Sequence, residues 1–243
     1  MLFSKTIEVL PGRQAISKAL ISAQYGDTLL VASGIYKENI SISNGVTLKA
    51  AQPLQSTIKG DGRGTTVILN NDSHIEGFII TGGNKGIVAN YTDASIQVCI
   101  ITNNRGSGLL SVSQFPQVQN TVFSHNGSGI SATSIVGDII LNHVTLAQNK
   151  LHGISFDKCR KVIVSNSLFY KNETKHLNGE LGKIVITNSL FYPTQKDITG
   201  PEVINQEPFF ISKKEMRTHF QLLDGSTGQE TASDGGDIGA DMP

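Results

Sequence analysis

Short runs in which apolar and polar residues alternate recur along most of the chain, separated by Gly, Asn and Ser. Period-two alternation of Ile, Val and Leu marks strands half-buried against a core. Laid over one another, the runs form a repeat. With Asn44, Gly77, Val98, Asn120, Asn142, Asn166 and Asn188 as anchors, the successive spacings are 33, 21, 22, 22, 24 and 22. Two residues before each anchor stand Ile42, Ile75, Ile96, Val118, Ile140, Val164 and Ile186; two after stand Val46, Ile79, Ile100, Val122, Val144, Leu168 and Leu190. A third line follows with Gly86-Ile87, Gly108-Leu109, Gly129-Ile130 and Gly153-Ile154. A single coil cannot bury these aliphatics, but coils stacked about 4.8 Å apart join them into internal ladders. The pattern therefore predicts an all-β, single-stranded parallel β-helix of about seven coils, with both aliphatic sets pointing inward.

The anchors have a physical role in this picture. Asn tolerates the left-handed backbone region, and its amide can bond the equivalent amide one coil away. Asn44, Asn120, Asn142, Asn166 and Asn188 are thus read as a structural asparagine ladder at a tight bend, with Gly77 its conformational equal. Val98 fits neither residue type and is expected to sit in a local distortion. A stack of this kind needs caps at its open ends. After Pro11-Gly12, the segment Arg13 to Ala23 places Ile16, Ala19, Leu20 and Ala23 on one helical face, which predicts a short capping helix. Past about Thr194 the ladders fade, and Phe209, Phe210, Phe220, Leu222 and Leu223 are expected to plug the far end. The expected organisation is a single domain, residues 1–243, with an N-terminal cap over 1–27, coils over 28–193 and a C-terminal cap over 194–243.

Composition narrows the function classes. Lys+Arg and Asp+Glu both number 20 in 243 residues, so the formal net charge is zero. That balance excludes nucleic acid bound through bulk charge and a polybasic membrane surface. Apolar runs such as Leu29 to Ala32 fall far short of the roughly 18 residues of a membrane span. Cys99 and Cys159 lie far apart with no nearby ligand cluster, so no metal site or disulfide framework is expected. The N-terminal Met1-Leu2-Phe3-Ser4-Lys5 carries no secretory signal, which leaves the compartment open.

Two stretches carry a family resemblance. Ala23-Gln24-Tyr25-Gly26-Asp27-Thr28 and Ser33-Gly34-Ile35-Tyr36-Lys37-Glu38-Asn39-Ile40 resemble the entry segment of right-handed parallel β-helix proteins of the pectin-lyase-like superfamily. Glu207-Pro208-Phe209-Phe210, Phe220-Gln221-Leu222 and Asp237-Ile238-Gly239-Ala240 are similar to the end of a bacterial, usually exported, subgroup. The resemblance implies a right-handed coil and a polysaccharide partner lying along the first strands and their turns. The chain departs from the subgroup in having Ser226-Thr227-Gly228-Gln229-Glu230 where a Ser-Pro-Ala-Ile-Asp stretch is usual. Gly34, Tyr36 and Glu38 also reproduce the G-x-Y-x-E of pectin methylesterases, but that family's catalytic Asp and Arg motifs are missing. The alginate-epimerase and polygalacturonase blocks are missing too. The G-x-Y-x-E is therefore read as a structural entry turn.

Alternation places Val88, Asn90, Leu110, Val112, Ser131, Thr133, Ser155 and Asp157 on the outer face of the first strands. Lys85, Arg105, His125, Lys150 and His152 fall in the turns entering them and are the candidate substrate-binding residues, suited to a carboxylated or sulfated chain. His125 and His152, with Asp157, are the candidate catalytic groups. The carboxylate cluster of a calcium-assisted elimination is not apparent, so no cofactor is expected, calcium entering only if the protein is a lyase. Asp61-Gly62-Arg63-Gly64 reads as a tight turn, Asp234, Asp237 and Asp241 as a cluster without metal-ligand spacing, and Phe169, Tyr170, Phe191 and Tyr192 as a stacked ladder with a sugar platform as the second reading. The expected function is acidic polysaccharide binding or processing, binding favoured over catalysis. The alternatives are a non-catalytic structural or surface-interaction scaffold and a polysaccharide lyase or epimerase.

Overall fold

Alternate apolar positions commit each short run to a strand, and the computed structural model, which describes residues 4–211 and 220–243, winds these strands into a right-handed parallel β-helix. The first three residues, part of the N-terminal stretch read above, lie outside the described residues. Each coil crosses three faces. The third face holds seven strands, from Ile40–Ile42 to Lys175–Asn178, and Ile184–Thr187 with Ser189–Tyr192 begin an eighth coil. Gln117–Ser124 and Asp138–Ala147 run unbroken through the first and second faces.

Three interior ladders hold the coils together. Ile75, Ile96, Val118, Leu141, Val164 and Ile186 stack on the first face. Ile80, Ile101, Phe123, Leu146, Phe169 and Phe191 stack on the second, and Val67, Ile87, Leu109, Ile130, Ile154 and Leu177 on the third. All are buried. At about 1.5–3 kcal/mol per large side chain, this shared burial is the main favourable contribution to the fold.

The register corrects part of the sequence reading. Val118 pairs with Leu141, not Ile140, and Ile140 is 53% exposed on the outer side. The left-handed bend after the first face is formed by Gly77, Val98, Asn120, His143, Asn166 and Asn188, with φ of 85°, 50°, 46°, 50°, 50° and 43°. Asn142 is one residue early and Asn44 sits at a different corner, between Ile42 and Val46. Val98 is no distortion, because it adopts the same conformation as its neighbours. Of the predicted amide-to-amide bonds along this line, Asn166 Nδ2 to Asn142 Oδ1 forms, but the line does not continue as a ladder. Asn166 also bonds Ser233, Asn188 bonds Glu202, and the buried Oδ1 of Asn120 has no partner among the described residues. The small side chains just past this bend explain Cys99: its thiol donates to Gln97 O at 3.2 Å, as the hydroxyls of Thr121, Ser167 and Ser189 donate to the carbonyl two residues back.

The internal asparagine ladder lies at the next corner, between the second and third faces. Asn104, Asn126, Asn149 and Asn172 are buried, and each Oδ1 of the last three accepts both the backbone N–H and the amide of the Asn one coil before. The amides of Asn126, Asn149 and Asn172 also donate to Ile101 O, Phe123 O and Leu146 O. The glycine line follows from this crowding: a Cβ on Gly108 would lie 2.7 Å from Gly129 O and 2.8 Å from Asn126 Nδ2.

At the N-terminal end, the helix Ala15–Ser22 buries Ile16 and Leu20 over the first coils. Glu38 accepts the N–H groups of Ile16 and Ser17, so the Glu of G-x-Y-x-E caps a helix, and Tyr36 donates to Ala32 O at 2.7 Å. The later part of the C-terminal segment, with Phe209, Phe210, Phe220, Leu222 and Leu223, does not plug the far end. It runs back along the outside of the second face, with Gly239 N bonding Asn166 O, Ala240 N bonding Thr145 Oγ1 and Met242 packing with Ile79, Ile100 and Val122. Ile79, Ile100, Val122, Leu168 and Leu190 therefore point outward and are buried by the tail, whereas Val144 points into the core. The far end is covered by Ile198 and by Gln195, whose Oε1 accepts from His176 N and Leu177 N.

Asn126→Leu should lower stability by about 3 kcal/mol or more, because several buried donors and acceptors lose their partner together. Asn142→Leu, whose Oδ1 serves only Ser165 and Asn166 near the surface, should cost about 1 kcal/mol. Val144→Asp should prevent folding, as an unpaired carboxylate would stand in the core. Urea denaturation of the three variants measures the order; equal shifts for the two asparagines would contradict it.

Candidate functional site

The corner that carries the asparagine ladder inside carries most of the predicted cations outside. Its left-handed residues, Asn103, His125, Gln148 and Lys171, precede the ladder asparagines. The residues that follow them, Arg105, Gly127, Lys150 and Glu173, form one row, since Gly127 N, Lys150 N and Glu173 N bond the carbonyls of Asn104, Asn126 and Asn149. Asn103, Arg105, His125, Gln148, Lys150 and Glu173 line a groove of about 500 Å³.

The five predicted binding residues do not occupy equivalent places. Arg105 and Lys150 share the outer row, His125 stands in the left-handed row, and Lys85 and His152 begin third-face strands, His152 pairing with Lys175. Burial pushes the pKa of His125 down, and burial with the nearby Lys175 does the same to His152. Both imidazoles are thus held toward the neutral form, and the basic side chains lining the groove beside His125 are Arg105 and Lys150. The His125 ring lies 6.2 Å from that of Phe220, so the tail forms one edge of the groove.

Asp157 is not brought to the histidines. It sits past the opposite end of His152–Phe156, roughly 16 Å away at the usual strand rise. Its Oδ1 accepts the N–H groups of Ser134 and Lys158, which hold its pKa below the usual carboxylate range. It closes a turn. Glu173, Asn103 and Gln148 are the groove residues the sequence reading missed; they flank the ladder asparagines and become legible once that ladder is in register.

The other candidates are structural. Asp61 accepts from Arg63 N and Gly64 N, which with Asn39 lower its pKa to about 2. Asp234 bonds His143 Nε2 at 2.8 Å and Asp237 accepts Glu230 N, both within the tail's docking. Phe169 and Phe191 stack at 4.5 Å inside; Tyr170 and Tyr192 stack outside, Tyr170 beneath Phe210 and both against Lys171, which pairs with Glu207. Burial raises the Cys99 thiol to about 12 and also raises Cys159. No cluster of His, Cys, Asp and Glu among the described residues could hold a metal.

The sequence profile of the family described as right handed beta helix region matches residues 65–205, more than half of the chain. The chain belongs to this family. A cell surface glycoprotein of Methanothermus fervidus is 37% identical over 79 residues, which are 32% of this chain and 13% of that protein. Among solved structures, an alginate lyase from Paenibacillus sp. str. FPU-7 superposes with a TM-score of 0.58 at 17% identity, covering 77% of this chain and 76% of that one. Pectate lyase Pel9A superposes with a TM-score of 0.54 at 10% identity, covering 100% and 97%. These similarities show that the right-handed β-helix is shared.

Beneath the groove the ladder of this β-helix ends on His176, in place of a further glycine. Its Nε2 donates to Pro193 O at 2.7 Å, so Nδ1 accepts from Asn172 Nδ2 at 3.1 Å, and burial holds the ring below the ordinary value of 6.5. The unfolded chain therefore takes up a proton that the folded one refuses. This contribution is complete above about pH 6.5 and fades as pH falls toward the folded-state value, with His125 and His152 displaced in the same direction. The urea midpoint should be lower at about pH 5.5 than at about pH 7.5, and His176→Gln should reduce the difference. A pH response unchanged in that variant would contradict the assignment.

Proposed function

We propose that the protein binds an acidic polysaccharide along this groove, with Arg105 and Lys150 as the charged contacts and Asn103, His125 and Gln148 as neutral hydrogen-bonding partners. One observation carries the reading. Arg105 and Lys150 are exposed, make no ion pair among the described residues, and line the same groove. They stand two coils apart on it, roughly 10 Å at the usual strand spacing. A chain with carboxylates at intervals suits two such cations. Lys85 and His152 would meet a polymer spreading onto the third face. The alginate and pectate lyases that share the fold support the polymer class in kind, and the separation of Asp157 from both histidines favours binding over cleavage. A surface scaffold is the second reading, favoured by the match to a cell surface glycoprotein.

Exposed ionic contacts contribute roughly 0–1 kcal/mol each, so affinity rests on several acting together and weakens steeply with salt. The protein should be retained on pectate or alginate at low ionic strength. Replacing Arg105 and Lys150 together by Glu should abolish retention with little change in Tm. Absence of retention by the wild type on both polymers would favour the scaffold. Release of unsaturated product, with or without calcium, would restore a lyase reading in place of simple binding.

A further inference from the structure

A second cavity lies on the first face, away from the groove. It holds about 260 Å³ and is walled by Phe115 and Pro116 from the long turn ahead of Gln117–Ser124. Its floor is formed by outward side chains of three successive coils. Gln97 pairs in register with Gln119, and Gln119 with Asn142, so three carboxamides form a row at one-rung intervals. Gln117 and the exposed Ile140 stand in the neighbouring row.

The chemistry of this cavity differs from that of the groove. The carboxamides of Gln97, Gln117 and Gln119 have no protein partner among the described residues. Among the described residues Asn142 uses its Oδ1, on Ser165 and Asn166, and its Nδ2 has no partner. Each carboxamide offers both donors and an acceptor. The lining carboxylate, Asp138, is neutralised by Arg160 through two bonds of 2.8 and 2.7 Å. The cavity is therefore rich in hydrogen-bonding capacity, has the paired Asp138 as the one charged group in its lining, and is backed by the apolar surfaces of Ile140 and Phe115.

We infer that this cavity is a second carbohydrate site, selective for an uncharged hexopyranose within a neutral glycan. Sugar hydroxyls both donate and accept, which matches carboxamides, and the C–H face of a pyranose packs on apolar surface as it does on aromatic rings. The volume lies below the range of about 300–1,000 Å³ typical of sites for drug-sized ligands, which fits one ring with its linked neighbours outside. A uronate is disfavoured because the one charged group lining the cavity, Asp138, is itself a carboxylate. The site is independent of the groove reading: either can fail without the other.

Affinity electrophoresis separates the two. Gels cast with galactan, glucomannan, xylan or dextran are compared with gels cast with pectate, using the wild type, the Arg105→Glu/Lys150→Glu variant and a Gln97→Ala/Gln119→Ala variant, whose surface changes leave the core intact. At least one neutral polymer should retard the wild type and the charge-reversed variant alike, at both low and high salt. The Gln97→Ala/Gln119→Ala protein should bind that polymer about tenfold more weakly, with unchanged Tm and unchanged response to pectate. Lack of retardation by every neutral polymer overturns the proposal, as does retardation that survives loss of the two glutamines. A concentration-dependent dimer abolished by Ile140→Asp would assign the face to a second copy of the chain and overturn it as well.

Discussion

A coil of this β-helix closes only if the backbone turns sharply at the same places each time, and each sharp turn removes a residue from the strand ladder while leaving polar groups facing the interior. Unpaired, such groups would cost about 1–3 kcal/mol each. The asparagines at 104, 126, 149 and 172 meet that constraint by bonding both the next coil and the carbonyls left over by the second-face strands. Their crowding in turn demands glycine at 86, 108, 129 and 153. The hydrophobic ladders supply most of the driving force, and the amide ladder fixes their register.

That constraint also shapes the outer surface. A left-handed residue ahead of each buried asparagine projects away from the core, so the corner presents one exposed row before the ladder and another after it. Asn103, His125 and Gln148 occupy the first, Arg105 and Lys150 the second. The groove is thus the exterior of the same turn whose interior sets the register, and its spacing follows that of the coils.

The aliphatic repeat, the strand class, the capping helix and the Gly-Ile line were legible because a period of about 22 residues acts on many positions at once. Choosing which asparagine line bonds internally was harder. Both lines repeat at similar spacing, and a longer connection from Thr133 to Leu141 than from Val112 to Val118 in the coil before put His143 where Asn142 was expected. Phase errors of one residue invert inside and outside in a strand, which is why Ile140 was misplaced. The outward Ile79, Ile100, Val122, Leu168 and Leu190 could not be told from core residues by hydrophobicity, since the tail buries them as thoroughly as the interior would. The charged groove residues were found individually, but their rows depend on the register.

The tail decides how the three faces can be used. By covering the second face it removes an apolar row that would otherwise invite association. His143 anchors it from both ring nitrogens, to Gly239 O at 3.2 Å and to Asp234, and Asn166 bonds Ser233 in both directions. Gly239 is needed at this contact, because a Cβ there would fall 2.8 Å from Thr145 Oγ1. The same tail brings Phe220 to the edge of the cationic groove, while the carboxamide row lies on the adjacent first face. Tail docking and groove shape are consequently linked through one side chain, Phe220 against His125, whereas the carboxamide cavity under Phe115 is built from the coils and their own turn.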